Sequence, residues 1–262
     1  MSAFTELLAS DAVRLDADAE NWRAAIRLAG QILVDNGIST SDYTEAMIQN
    51  VEDNGPYIVI APGFALAHAR PSAAVLRTGM SWVRLAQPVP FGHESNDPVR
   101  LVVALAASDS EAHTAALSAL ARVLADPDSN RALEQASSPE DVLAVLGGDA
   151  HVEAATSRVV QSPAPSLSEH KILTVCGNGV GTSLFLKNTL EQVLDRWGWS
   201  RQVSVEATDT ISAKGKASEA VAILTSQEIA RTLGDVGVPV KVVRDFTSTA
   251  EVDSVLRDTY SV

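Results

Sequence analysis

Residues 172–186 read ILTVCGNGVGTSLFL and contain the only cysteine of the chain, Cys176. Ile172 to Val175 favour extended backbone, a loop with three glycines follows, and an apolar-spaced segment begins at Leu184. A β-favouring run, a glycine turn and a helix together open a βα unit. Outward from that unit, the patterns predict strands over 171–175, 203–207, 220–224 and 239–243. They predict helices over 184–197, stopped by Gly198, over 226–233 and over 249–260. This half reads as a small open, largely parallel, doubly wound α/β domain. In such sheets ligands sit at the edge the Cys176 loop would leave from.

The loop Gly177, Asn178, Gly179, Val180, Gly181, with Thr182 and Ser183 after it, puts backbone N–H groups at a helix N-terminus. Such a nest binds an anion, and the same field favours a thiolate. A cysteine of ordinary pKa near 8.5 is only a few per cent thiolate at neutral pH; one lowered to about 6.5 is roughly three-quarters thiolate. Cys176 is therefore expected to be a low-pKa nucleophile toward phosphate. No Gly-Lys-Ser/Thr follows, so this is not a Walker A loop, and Thr182 stands where a dinucleotide fingerprint needs its last glycine. A cysteine phosphatase needs an arginine six residues after the cysteine, and that position is also Thr182. The pattern suits a site that holds a phosphoryl group briefly and passes it on.

The preceding half differs in composition. Through His170 the chain has ten arginines and no lysine against 22 acidic residues; from Lys171 onward ten basic residues nearly balance 11 acidic ones. Between the halves, 148–169 is rich in Ala, Ser, Pro and Gly without sustained period, the composition of a linker. The expected division is 1–147, linker 148–169, and 170–262. In the first half helices are expected over 21–35 and 41–53, and YIVIAPGFALAHARP should form two extended pieces broken at Pro62-Gly63. Strands follow over 79–85 and 100–106, then a helix opened by the capping-box pattern Ser108-Asp-Ser-Glu111, and two short helices over 128–135 and 139–146. This is a mixed α/β sheet flanked by helices.

Three histidines of this half are candidates to hand phosphate to a thiolate. His68 follows a Pro-Gly break and precedes Arg70-Pro71, in a segment suited to a precisely held side chain. A neutral imidazole accepts phosphate on one nitrogen while a hydrogen bond pins the other. His113 is in register with Leu117, Leu120 and Leu124, so it faces either a core or a cleft wall. His93, in FGHESNDPV, suits a structural role in a polar turn, and Arg70 either steers an incoming phosphate or is a solvated surface residue.

YIVIAPGFALAHARP, FGHESNDPV and DSEAH, in that order, resemble the enzyme IIA domain of the ascorbate-type bacterial phosphotransferase system, in the mannitol/fructose IIA group; ILTVCGNGVGTS resembles the matching enzyme IIB. The resemblance implies that His68 accepts phosphate from the histidine-containing phosphocarrier protein and that His113 helps hold it. It implies that Cys176 is the IIB phosphocysteine, donating to a sugar held by the membrane-embedded IIC partner, with ascorbate expected. Related IIA domains read Pro-His where this chain has Ala67-His68, which implies a looser backbone before the nucleophile. A thiol phosphatase or arsenate-reductase-like enzyme, and a regulatory module in which His68 phosphorylation only signals, are the alternatives.

The bulk numbers agree with this class. A net charge of −13 argues against nucleic-acid binding, and one cysteine suits a reducing compartment. No secretion signal and no run of about 18 apolar residues is expected, so the reading is cytoplasmic, at the membrane face only through IIC. No metal-ligand spacing and no cofactor motif appears, so neither is expected.

Overall fold

A computed structural model of the chain describes residues 7–148, 170–176 and 182–260. The first sheet contains β1 (Val13–Ala17), β2 (Val59–Ala61), β3 (Phe64–His68), β4 (Gly79–Val89) and β5 (Val99–Ala106), in the order β1-β4-β5-β3-β2. The β1–β4 and β3–β5 pairs are parallel, and the β4–β5 and β2–β3 pairs antiparallel, so the sheet is mixed. Its helices are α1 (Trp22–Asp35), α2 (Ser41–Asn54), α3 (Ser110–Ala125), α4 (Pro127–Gln135) and α5 (Pro139–Gly148).

Local chemistry explains these helices. Asn21 caps α1 by accepting from the Ala24 N–H at 3.0 Å, and Ala25, Ile26, Ala29, Ile32 and Leu33 are its buried residues. Helix α2 crosses α1 so closely that a Cβ at Gly30 would lie 2.2 Å from Thr44 Oγ1. Helix α3 starts differently from the expected capping box. Asp109 is the cap, its carboxylate accepting from the Ala112 N–H at 2.8 Å. A carboxylate there also meets the positive end of the helix dipole.

The second sheet is all parallel, with β6 (His170–Cys176), β7 (Val203–Asp209), β8 (Ala222–Thr225) and β9 (Val240–Val242) in the order β7-β6-β8-β9. Helices α6 (Ser183–Trp197), α7 (Thr210–Lys216), α8 (Gln227–Leu233) and α9 (Thr249–Tyr260) complete it. Strand β6 is interior and buried from Ile172 to Cys176, which is why its sequence is an apolar run rather than an alternation. Gly198 ends α6 in the left-handed region at φ 73°.

Three elements depart from the sequence reading. Strand β1 is a short edge strand with alternating exposure, too brief to stand out as a period. Helix α7 has little propensity of its own in TISAKGK, but the Asp209 carboxylate accepts from both Ile211 and Ser212 N–H groups and nucleates it. Strand β4 also runs past 85 to Val89. Pro88 is tolerated because the β4–β5 register shifts between Arg84 and Val89.

The halves pack against each other. Helix α3 lies on α6, and the Phe64 and Phe185 rings are 6.5 Å apart. Phe246, 4% exposed, donates its N–H to the Ile60 carbonyl at 3.0 Å. Burying a phenylalanine side chain contributes about 1.5–3 kcal/mol. Asn96 Nδ2 donates to the Arg244 carbonyl at 2.8 Å and to that of Val59 at 3.1 Å, tying a loop of one half to the backbone of the other. Among the described residues no helix is long and apolar enough to cross a membrane.

Candidate functional site

Strands β3 and β5 are parallel, so His68, opposite Leu105, ends β3 at the sheet edge beyond which α3 begins. The His68 side chain is buried, and its Nδ1 lies 3.0 Å from the Leu66 carbonyl. A carbonyl only accepts, so Nδ1 carries the ring proton and Nε2 keeps its lone pair. Burial holds the imidazole below its usual pKa, outweighing the Leu66 hydrogen bond, so the ring is neutral at pH 7. Ala67 is buried and paired with Ala104 in the β3–β5 ladder, so strand pairing holds the backbone before His68.

The main chain beyond His68 is clamped from α2. The Tyr43 hydroxyl accepts from the Ala69 N–H at 3.1 Å and donates to the Leu105 carbonyl at 2.8 Å. Desolvation pushes this phenol up to about 12, so it keeps the donated proton. Asn50 Nδ2 donates to the His68 carbonyl at 3.4 Å.

His113 faces His68, with ring centroids 5.5 Å apart. Burial and then the neighbouring His68 lower its pKa to about 4, and its buried Nδ1 makes no hydrogen bond. Two neutral imidazoles thus face each other, with an unused polar atom between the β3 edge and α3. His113 is buried, and on that buried face it meets His68. Tyr57 meets the other side of His68, edge to face at 6.2 Å.

Cys176 ends β6, opposite Asp209 of β7 and ahead of α6. Its thiol donates to Ser183 Oγ at 3.4 Å, and Ser183 is held in turn by Thr174, whose hydroxyl donates to the Ser183 carbonyl at 3.0 Å. The expected low thiol pKa is not the result of this arrangement. Cys176 is only 4% exposed, and burial pushes the thiol up. Hydrogen bonds from Ser183 and Thr182 at the helix start pull the other way without overcoming burial. That expectation follows from the field of the helix end alone, and desolvation of the buried thiol outweighs that field. The Gly177, Asn178, Gly179, Val180 and Gly181 amides expected to cradle phosphate lie outside the described residues.

His93 and Arg70 have different places. His93 Nδ1 accepts from the Asn96 N–H at 3.1 Å, which leaves the ring proton on Nε2, 3.9 Å from the Glu228 carboxylate of the other half. It shapes the 91–97 loop, whose Phe91, Gly92 and His93 amides converge on the Asp97 carboxylate. This is the structural turn role, now at the junction of the halves. Arg70 is exposed two residues beyond His68, and its charge reaches Tyr57.

Residues 6–148, more than half of the chain, match the model of the phosphoenolpyruvate-dependent sugar phosphotransferase system EIIA 2 family. The chain belongs to this family. Residues 171–258 match the lactose/cellobiose-specific IIB subunit model of the same kind of system, so IIA and IIB segments occur in one chain. The IIA segment is similar to the ascorbate-specific EIIA component of Shigella flexneri, 38% identical over 113 residues covering 43% of this chain and 73% of that protein. It is 40% identical to the ascorbate-specific EIIA component of Escherichia coli K12 over 107 residues, covering 41% of this chain and 70% of that one. The mannitol-specific cryptic enzyme IIA of Escherichia coli shares its fold, with a TM-score of 0.51 at 30% identity, covering 56% of this chain and 99% of that one. The IIA-plus-IIB organisation and the general chemistry, phosphoryl transfer in sugar uptake, are established by these matches.

Sequence reasoning missed Tyr43, Asn50 and Tyr57 in the IIA segment. Each reaches the His68 region from 11 to 25 positions upstream in the chain. The only local signal is that Tyr43 and Tyr57 are two of just three tyrosines. Chain-local patterns carry no sign of which carbonyl a hydroxyl will meet.

Proposed function

We propose that this chain is a cytoplasmic IIA–IIB phosphoryl relay, with domains over 1–147 and 170–262 joined by a linker over 148–169. The histidine phosphocarrier protein donates to His68 Nε2, His68 passes the group to Cys176, and Cys176 passes it to a sugar held by a membrane IIC partner. The observation that carries this reading is the Leu66 carbonyl on His68 Nδ1. It leaves Nε2 as the nucleophile before any phosphate arrives and keeps the ring proton in place afterward.

That proton makes the histidine a good leaving group. Once Nε2 bears PO₃²⁻ while Nδ1–H stays on Leu66, the ring is cationic. The Cys176 thiolate attacks phosphorus in line, the N–P bond breaks as the S–P bond forms, and His68 leaves as the neutral imidazole it started as. The thiol proton goes to water before attack. In the docked form burial opposes that loss. Thiolate formation is therefore expected to couple to access at the junction or to the Thr182 and Ser183 donors. Arg70 steers the incoming anion, and His113 Nδ1 supplies the contact to the phosphoryl group on His68.

The sugar is chosen by the IIC partner. Ascorbate is the proposal because the IIA relatives are ascorbate-specific components. Burial of the Cys176 thiol disfavours the free-standing thiol phosphatase. The test is to incubate the chain with phosphoenolpyruvate, enzyme I and the phosphocarrier protein and locate the label by mass spectrometry. Label on Cys176 that vanishes in His68→Ala, and label retained on His68 in Cys176→Ser, is the expected result. An unlabelled wild type sinks the relay.

A further inference from the structure

The Tyr57 hydroxyl is unused in the resting molecule. The side chain is buried, 7% exposed, yet its hydroxyl has no hydrogen-bond partner. Leaving a buried hydroxyl unpaired costs about 1–3 kcal/mol, and phenylalanine would fit the same space without that cost. Such an atom calls for a partner that arrives during the working cycle.

Its surroundings supply one. The ring stands edge to face on His68 at 6.2 Å. On its other side Tyr57 lines a small cavity at the junction, together with His93, Glu228 and Phe246, so it bridges the two halves. Cys176 and Arg70 are both close enough to act on its phenol electrostatically. One side chain therefore stands against the donor histidine and lines the junction of the two halves, within electrostatic reach of Cys176 and Arg70.

We propose that Tyr57 donates its hydroxyl hydrogen bond to a non-bridging phosphoryl oxygen during passage from His68 to Cys176. The inference rests on the relay reading above and adds a residue to it. No proton is transferred: the O–H stays on Tyr57, the N–P bond breaks, the S–P bond forms, and the shared hydrogen bond offsets charge on the moving group. Desolvation raises the phenol above its ordinary range, which suits a donor that must keep its proton beside a dianion.

The experiment is a single-turnover chase in the full-length chain, with label loaded on His68 from the phosphocarrier protein and its arrival on Cys176 timed by rapid quench. Wild type, Tyr57→Phe and Tyr260→Phe are compared. Tyr260 is the control because its hydroxyl is likewise buried without a partner, while its ring stacks on His170 at the opposite end of β6 from Cys176. In Tyr57→Phe the transfer rate should fall about tenfold to a hundredfold, the worth of one hydrogen bond to a charged group, with a melting temperature that does not drop. Tyr260→Phe should transfer as wild type. A phosphorus NMR shift of phospho-His68, measured in the Cys176→Ser background, should move with Tyr57→Phe. Wild-type transfer by Tyr57→Phe overturns the inference and leaves the relay standing. Slower transfer matched by lost stability, or equal slowing in Tyr260→Phe, also overturns it, because a packing role would do that. No label on His68 in the wild type overturns the relay reading and this inference with it.

Discussion

His68 and Cys176 end parallel strands in two different sheets, yet the chain prepares them by opposite means. Besides the Leu66 carbonyl on its ring, His68 is caged by groups from elsewhere in the chain: Tyr43 on the next amide, Asn50 on its carbonyl, and His113 and Tyr57 on its faces. Cys176 leans instead on near neighbours in the chain, Thr182 and Ser183 at the start of α6. Burial then acts on each with opposite consequence. Removing water favours the neutral form of both groups, and neutral is the reactive form of an imidazole and the inert form of a thiol. In the relay proposed above, one environment readies the histidine to receive phosphate while holding the cysteine back.

The sharpest way to break that comparison is to remove each nucleophile. His68→Ala should abolish phosphate arrival at Cys176, a loss of more than about a thousandfold against the charge-stabilised transfer, measured by steady-state labelling. Cys176→Ser should leave His68 labelling intact.

Acid tests the neutral-histidine half of the comparison. His113 has a folded pKa of about 4 against 6.5 for a free histidine. A histidine depressed in this way stabilises the fold above about pH 6.5 and loses that contribution as pH falls toward 4, on the order of 3 kcal/mol in all. His68 shifts in the same direction and adds to the slope. Urea unfolding at pH 7 and pH 4.5 should show the loss in wild type and a shallower dependence in His113→Gln. Equal slopes would mean that His113 titrates normally.

The cage around His68 is testable through Tyr43. Tyr43→Phe leaves the Ala69 N–H without its acceptor and should cost about 1–3 kcal/mol, with slower loading of His68 by the phosphocarrier protein. Unchanged loading kinetics would show that the ring is placed by Leu66 alone.

The smallest effect is expected at the junction. Arg231 pairs with Glu94 across the halves at 3.1 Å, but both side chains are about 60% exposed. Such a pair contributes less than about 1 kcal/mol and fades with salt. A double-mutant cycle of Arg231→Ala and Glu94→Ala should therefore give little coupling at physiological salt. Docking should rest instead on Phe246, Phe185 and the Asn96 hydrogen bonds, so Asn96→Ala should loosen the halves more than either charge mutation, as seen by limited proteolysis or cross-linking.

Much of this molecule is legible in its sequence. The β-favouring run ILTV, a glycine loop and a helical period are local signals, and they place β6, α6 and Cys176 without tertiary information. Likewise the Pro62-Gly63 break places the β2–β3 hairpin and brings His68 to a strand end, and Leu117, Leu120 and Leu124 carry His113 to the buried face of α3. Short elements that depend on a cap or on a neighbour, such as α7 and β1, are not legible, because their few residues carry too little period or propensity.

Side-chain encounters and burial were decided only by the tertiary structure. Tyr43, Asn50 and Tyr57 reach His68 by folding over it, and the Cys176 thiol is raised by its burial in the folded chain. Sequence determines which groups can do chemistry, because residue identity and chain-local spacing are local properties. Only the packed structure determines their pKa and partners, because desolvation and hydrogen-bond satisfaction depend on the groups nearby in space, whatever their distance along the chain.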